Sequence, residues 1–279
     1  MKEINREQLI ETVAAACIDS NIYLGQDVCN RLAELESSET NERAKSILSQ
    51  FTKNREVADQ TKLPLCQDTG IVLMQIEIGN QVHLDFDLYE ALNEAIRIGY
   101  EQGHLRKSVV EDPLFRVNSG DNTPGVFHTE LVMGDELKIT IAPKGAGSEN
   151  MSNLKMMTPQ TPINEVEDYI YDCVVNSGGK PCPPIVVGVG IGGTFEKAAL
   201  NAKKAVLEDI GTHNPKPEYE EIEKRLIERI NNSGIGPMGL GGKSTCLDVS
   251  IIEYPSHIAS LPVAVNINCH VARHKVVKF

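Results

Sequence analysis

The stretch PPIVVGVGIGGTFEKAALNAKKA, residues 183–205, decides the fold class. Its first half is a short apolar run that predicts a buried strand entering a glycine turn at residues 192–193. The residues that follow predict a helix over 194–207. A buried strand that passes through a tight turn into a helix indicates an α/β protein.

The N-terminal part of the chain is predicted to be helical over about its first sixty residues. Leu9, Val13 and Cys17 recur every four residues, which places them on one helix face. A second helix is expected around residues 44–51. Alternating apolar residues at 72–78 predict a strand, and Asp87 is a suitable N-cap for the helix that follows.

The remaining segments alternate between loops and regular elements. Residues 105–125 are rich in Gly, Pro, Asn, Asp and Arg and predict a long loop, after which 127–132 and 136–142 predict a β-hairpin. Thr161 and Pro162 fit the N-cap and first position of a further helix. The runs 247–254 and 262–268 predict strands. No linker or repeat is recognisable, so we expect one mixed α/β domain over residues 1–279, helical at its N-terminus and with long glycine-rich loops.

Composition and charge restrict the class of protein. The chain has 279 residues, of which 41% are hydrophobic, which is enough for a sizeable core. No apolar run approaches the roughly 20 residues that span a membrane, and the N-terminus carries charges where a signal peptide is apolar. We therefore expect a soluble, cytoplasmic protein without a membrane partner. The net charge of −12 argues against nucleic acid as a partner but not against a small anionic substrate.

The seven cysteines separate into two groups by their surroundings. An odd number in a protein expected to be cytosolic argues against a disulfide framework, and no C-x-x-C pair is present. Cys17, Cys29 and Cys173 are predicted to be buried on helices, and burial is also favoured for Cys246 at the start of a strand. The other three lie where regular structure gives way to irregular chain: Cys66, Cys182 and Cys269. From the pattern alone, these three are either ligands of one shared site or ordinary loop cysteines.

Five motifs carry a resemblance to a known family. They are PLCQDTG (64–70), KGAGSENMSN (144–153), GKPCPPIVVGVGIGGTFEKAALNAKKA (179–205), GPMGLGGKST (236–245) and NINCHVARH (266–274). In this order, and over nearly the whole chain, they resemble the alpha-type, or N-terminal catalytic, region of iron–sulfur class I fumarases and L-tartrate dehydratases. The resemblance implies that Cys66, Cys182 and Cys269 hold a 4Fe–4S cluster.

The resemblance also implies an activity, the reversible hydration of fumarate to L-malate, with L-tartrate dehydration as the alternative. Three cysteines leave one iron open to bind substrate as a Lewis acid. By resemblance the substrate is contacted by Gln67, Asp68, Arg106, Gly145 and His257. For three of these a structural role is the alternative: Asp68 in a turn, Arg106 on the surface, and His257 as a polar side chain with local partners.

A partner chain is expected as well. In the resembled family the catalytic base and further residues that bind carboxylates lie in a second region, which is either the C-terminal half of a longer chain or a separate beta subunit. We therefore expect a beta-type subunit that carries the base, in an assembly of higher order, acting on a small dicarboxylate.

Two other classes of protein remain as alternatives. Gly188, Gly190 and Gly193 satisfy G-x-G-x-x-G, which predicts dinucleotide binding where a second strand delivers an acid to the ribose. Glu208 has the right spacing, but the residues before it predict helix. A non-enzymatic iron–sulfur electron carrier or sensor is the other alternative.

Overall fold

A computed structural model describes residues 2–279 and confirms the mixed α/β class. Within these residues no helix is both long and apolar enough to cross a bilayer. The chain divides into two compact units: unit 1 is Met1–Leu24, Arg55–Ala146 and Arg273–Phe279, and unit 2 is Gly25–Asn54 and Gly147–Ala272.

The elements follow one another along the chain in this order: β1 (Lys2–Glu3), α1 (Arg6–Ile22), α2 (Gln26–Ser38), α3 (Glu42–Thr61), β2 (Ile71–Gly79), β3 (Val82–His83), α4 (Leu88–Gln102), β4 (Val126–Val132), β5 (Leu137–Lys144), α5 (Ala146–Glu149), β6 (Asn153–Met157), α6 (Ile163–Ser177), β7 (Ile185–Gly192), α7 (Phe195–Ala205), α8 (Pro217–Asn231), β8 (Cys246–Tyr254), β9 (Leu261–Asn268) and β10 (Lys275–Lys278). The helical N-terminal region is confirmed, and α3 is longer than the segment predicted from residues 44–51.

Unit 1 is built on a four-stranded sheet in the order β10–β5–β2–β4. Helix α1 packs against α4, β5 and β10. The predicted face of α1 is confirmed, because Leu9, Val13 and Cys17 are all fully buried in the core of this unit. Asp87 caps α4 as predicted: its Oδ1 accepts a hydrogen bond of 3.0 Å from the Glu90 main-chain N–H.

The predicted hairpin of residues 127–142 is wrong. Both strands form, but β2 lies between them, parallel to β4 and antiparallel to β5. β2 is the more apolar candidate for the central position, since Val72, Met74 and Ile76 are buried, whereas Leu131 on β4 is 80% exposed. In the central position β2 forms hydrogen bonds with a strand on each of its edges. A hairpin in which β4 paired directly with β5 would leave β2 at an edge of the sheet.

The predicted start of α6 is also wrong by one residue. The helix begins at Ile163, and Pro162 occupies the N-cap position with no side-chain cap. The Thr161 hydroxyl lies 3.2 Å from the Thr158 hydroxyl instead, within a turn that ends at the Thr161 main-chain N–H. The Thr161 hydroxyl, which was predicted to cap the helix, therefore belongs to the turn before it.

Unit 2 contains a second four-stranded sheet, in the order β6–β9–β7–β8, with helices on both faces. Alternate residues of β7 and β9 are large aliphatic side chains that pack against α6 and α8 in one core. Several of the intervening residues are small, and Gly188, Gly190 and Ala264 face α7. Every residue of β7 is buried, which matches the apolar run that predicted it.

Gly188 and Gly190 lie on the face of β7 that α7 covers, and they carry no side chain because the backbone of α7 approaches the backbone of β7 closely there. A Cβ at Gly190 would lie 2.0 Å from the Ala198 carbonyl oxygen, and one at Gly188 would lie 2.3 Å from that of Ala202. These contacts are with main-chain atoms, which cannot move without shifting the whole helix.

We predict that Gly190→Ala lowers the free energy of unfolding by about 3 kcal/mol, because the added methyl group forces α7 away from the sheet. Chemical denaturation monitored by circular dichroism measures the change. Gly147→Ala is the matched control, since its Cβ would approach nothing more closely than 3.5 Å. Equal stability of the two variants would contradict the close packing of α7 on β7.

Candidate active site

The PLCQDTG segment leads directly into β2 in unit 1. Gly70 has a φ of +68°, and a Cβ there would lie 2.5 Å from the main-chain oxygen of Lys144 at the end of β5. Only glycine fits this position without displacing backbone. The segment before β2 therefore lies against the chain that leaves β5, and two of the sequence motifs come together.

Asp68 links these two motifs through its carboxylate. Its Oδ1 accepts a hydrogen bond of 3.1 Å from the Gly70 N–H, and its Oδ2 accepts one of 3.0 Å from the Ala146 N–H. A Cβ at Gly145 would lie 3.0 Å from Oδ2. The structure thus brings the predicted residues Asp68 and Gly145 into contact. The bond to Gly70 is also the turn-stabilising role that the sequence left open for Asp68.

Cys66 and Gln67 lie on the same short segment. The Cys66 side chain is half-buried, and its Sγ accepts a contact of 3.4 Å from the Asp68 main-chain N–H. This N–H is thus directed at the sulfur atom of Cys66. Gln67 is exposed.

Arg106 is connected to this segment through its main chain. The Thr69 hydroxyl donates a hydrogen bond of 2.9 Å to the Arg106 carbonyl, while the Arg106 side chain is exposed. Unit 1 therefore gathers five predicted residues around one end of its sheet: Cys66, Gln67, Asp68, Arg106 and Gly145.

The other two predicted cysteine ligands lie close together in unit 2. Cys182 has a φ of +56°, and its carbonyl accepts hydrogen bonds from the His270 main-chain N–H at 3.3 Å and from His270 Nδ1 at 2.9 Å. The imidazole also stacks on Phe51, with ring centroids 3.9 Å apart. His270, the neighbour of Cys269, thus fixes the two cysteine segments to each other. The sequence reasoning missed this role; the only signal was its place beside Cys269.

His257 lies at the other end of the unit 2 sheet. Strand β7 pairs parallel with β8 from Ile185 opposite Cys246 to Gly192 opposite Tyr254. Cys182 precedes this stretch and His257 follows it, so about 20 Å of strand separates their positions along the sheet. His257 is exposed, and its Nδ1 accepts a hydrogen bond of 3.1 Å from the Ala259 N–H. This local partner is the alternative role that the sequence left open.

Burial separates the cysteines much as the sequence predicted. Cys17, Cys173 and Cys246 are buried, whereas Cys66, Cys182 and Cys269 are half-buried. Burial raises the pKa of the Cys17 thiol to about 12 and raises that of Cys246 as well, which keeps both neutral. Cys29 is half-buried rather than buried, because it lies one position off the face of α2 that carries Val28.

Within residues 2–279, no group of three or more His, Cys, Asp and Glu side chains is arranged as a ready metal site. The shared site of Cys66, Cys182 and Cys269 therefore stays a prediction. Cys66 is half-buried in unit 1, and Cys182 and Cys269 are half-buried in unit 2.

Comparison with known proteins decides the family. The sequence model of the fumarate hydratase (Fumerase) family matches residues 10–278. The chain belongs to the fumarate hydratase family. Members of this family are hydro-lyases, so the chain is assigned as an enzyme of this class.

Individual relatives of this family member support the assignment. A Methanocaldococcus jannaschii protein provisionally named L(+)-tartrate dehydratase subunit alpha is 41% identical over 265 residues, which cover 92% of this chain and 93% of the relative. The L(+)-tartrate dehydratase subunit alpha of Escherichia coli K12 is 31% identical over 278 residues, which cover 96% and 91%. The resemblance inferred from the motifs is thereby confirmed.

We predict that iodoacetamide labels the apoprotein in two phases at pH 8. Half-buried Cys29, Cys66, Cys182 and Cys269 react first, and buried Cys17 and Cys246 react only when the fold opens, because alkylation needs an accessible thiolate. Peptide mass spectrometry over time measures the order. Labelling of Cys17 as fast as that of Cys66 would contradict the burial difference, and denatured protein is the control in which all sites react alike.

Proposed function

We propose that this hydro-lyase is the alpha-type subunit of an enzyme that interconverts fumarate and L-malate. The observation that carries the proposal is the junction of Cys66, Asp68 and Gly145 in unit 1. The Cys66 thiol there is half-buried, and the Asp68 carboxylate accepts hydrogen bonds from two main-chain N–H groups. The backbone of Gly145 lies beside this carboxylate. The thiol can bind a metal and the fixed carboxylate can serve as an acid group, which are parts that a hydro-lyase needs.

Cys66, Cys182 and Cys269 are proposed to hold a 4Fe–4S cluster. Their chemistry fits this group, because they are the half-buried thiols beside irregular backbone, while the buried thiols Cys17 and Cys246 have raised pKa values. When bound through three cysteines, such a cluster supplies an iron that acts as a Lewis acid toward the hydroxyl and carboxylate of the substrate.

The side chains of unit 1 then bind and orient the substrate. The exposed guanidinium of Arg106 suits a carboxylate, which it can bind through two parallel hydrogen bonds. Asp68, fixed by the Gly70 and Ala146 N–H groups, and exposed Gln67 are placed to orient the substrate or the water that adds to it. Gly145, whose backbone lies beside the Asp68 carboxylate, is proposed to contact the substrate through its main chain.

Two requirements extend beyond one chain. The relatives are named as alpha subunits, which supports a beta-type partner. We propose that this partner supplies the catalytic base. His257 lies at the sheet end opposite Cys182, so we assign its proposed contact with substrate to a second copy of the chain. An assembly of higher order meets both requirements.

L-tartrate is the second candidate substrate. The names of the relatives favour it, whereas the description of the family favours fumarate. Malate loses water to give fumarate, and tartrate loses water to give oxaloacetate after tautomerisation. Both reactions remove a hydroxyl from one carbon and a proton from its neighbour, so the same alpha-type residues serve either.

We predict that Cys66→Ser, Cys182→Ser and Cys269→Ser each abolish retention of the cluster and activity, because each removes a thiolate ligand. Cys17→Ala and Cys173→Ala should keep the cluster and lose stability on the order of 1 kcal/mol. Iron and sulfide contents after anaerobic reconstitution, together with denaturation curves, measure the two effects. The division between the groups is wrong if all five variants retain iron equally.

We predict that the reconstituted chain alone has little activity and that a beta-type partner raises the rate by orders of magnitude. The physical reason is that the partner brings the base and excludes water from the site. The experiment is an anaerobic assay of fumarate, L-malate and both tartrates, with and without the partner. Preference for L-tartrate would select the second candidate, and no turnover of any of them by the complete enzyme would reject the proposed function.

A further inference from the structure

Three consecutive carbonyl groups of the PLCQDTG segment accept hydrogen bonds from buried side chains of unit 1. The Asp68 carbonyl accepts a hydrogen bond of 2.6 Å from Arg273 Nη2, and the Thr69 carbonyl accepts one of 2.6 Å from the Tyr100 hydroxyl. The Gly70 carbonyl accepts a hydrogen bond of 3.2 Å from Asn122 Nδ2 and another of 3.2 Å from the Tyr100 hydroxyl. Tyr100 and Asn122 are fully buried, and Arg273 is 4% exposed.

We propose that Tyr100, Asn122 and Arg273 are positioning residues for the active site, acting through the main chain between Cys66 and Gly70. This inference rests on the proposed function, because it assumes that Cys66 and Asp68 serve the reaction. None of the three is among the residues that the sequence motifs assigned to the substrate.

Asn122 connects this segment to the one that carries Arg106. Its Oδ1 accepts hydrogen bonds from the Ser108 N–H at 2.7 Å and the Val109 N–H at 3.2 Å, while its amide donates to Gly70. One buried side chain thus sets the distance between the Asp68 segment and the chain just after Arg106. The hydrogen bond from the Thr69 hydroxyl to the Arg106 carbonyl is a second link between the same two segments.

Tyr100 is suited to a permanent donor role. Burial raises the pKa of its hydroxyl above the ordinary tyrosine value, so the hydroxyl stays protonated. Its one hydrogen is shared between the Thr69 carbonyl and the more distant Gly70 carbonyl. Its backbone lies within α4, a helix of 15 residues whose core face is buried. The segment is therefore anchored to a rigid element rather than to another loop.

Arg273 differs from Tyr100 and Asn122 in carrying a guanidinium group and in lying within one of the five sequence motifs, NINCHVARH. Within residues 2–279, its Nε and Nη1 are buried without a hydrogen-bond partner, and its Nη2 donates to a neutral carbonyl. Leaving buried guanidinium donors without a partner is costly to stability. The Asp68 carbonyl gains a charge-assisted bond in return, and the N–H groups of Nε and Nη1 remain for an anion bound at the site.

The first test is hydrogen exchange in the apoprotein. Asn122→Ala, Arg273→Met and the milder Tyr100→Phe should accelerate exchange of the Gly70 and Ala146 amides, which donate to Asp68, by about tenfold. The matched control is Asn214→Ala, another buried asparagine whose amide donates to a main-chain carbonyl, that of Ile251 in unit 2. It should leave both amides unchanged. Unchanged exchange in Tyr100→Phe and Arg273→Met, or an equal effect of the control, would overturn the proposal.

The second test uses the reconstituted enzyme with its partner. With unchanged iron and sulfide, Asn122→Ala should raise KM about tenfold, because Arg106 loses its fixed position, and Arg273→Met should lower kcat by up to about 100-fold. Arg273→Lys, which keeps a charged donor, should recover most of kcat. Failure of this rescue, or losses matched by Asn214→Ala, would show a merely structural role. Wild-type enzyme inactive toward all four acids would reject the proposed function, while the exchange result would still decide whether the segment is held as described.

Discussion

The antiparallel pairing of β2 with β5 is the interaction on which the candidate site in unit 1 depends. Its register places Ile71, the first residue of β2, opposite Lys144, the last residue of β5. The chain before one strand and the chain after the other therefore emerge at the same end of the sheet. PLCQDTG precedes β2 and KGAGSEN begins at the end of β5, so the pairing alone makes them neighbours. The contacts of Asp68 follow from this register, and a slip of one residue would turn every inward side chain outward.

Unit 2 uses the same arrangement independently. Strand β7 pairs antiparallel with β9, and Val186 lies opposite Asn268. Cys182 comes shortly before β7 and Cys269 directly after β9, which is why one imidazole, that of His270, can bond to the Cys182 carbonyl. In both units a ligand candidate is thus placed by a strand end rather than by a helix. Strand ends in a buried sheet have little freedom, which suits ligands that must hold one geometry.

The sequence predicted where helices and strands lie along the chain better than it predicted which strands pair with each other. Local signals succeeded: the spacing of Leu9 and Val13 gave the buried face of α1, and Asp87 gave the start of α4. Pairing is not local, and the order β5–β2–β4 could not be read from strands predicted one at a time. The motifs located Cys66 and Asp68, but nothing marked Asn122, because a buried amide that bonds to main-chain carbonyls has no characteristic spacing.

The glycines of β7 show how one pattern can have two physical causes. G-x-G-x-x-G predicts a dinucleotide site when its glycines admit a pyrophosphate, yet Gly188 and Gly190 here admit the backbone of α7. Glu208 comes just after α7 and not at the end of a strand, so it lacks the position from which an acid binds a ribose. The next parallel strand, β8, begins only at Cys246. The glycine spacing is thus accounted for by helix–sheet packing and needs no bound dinucleotide to explain it.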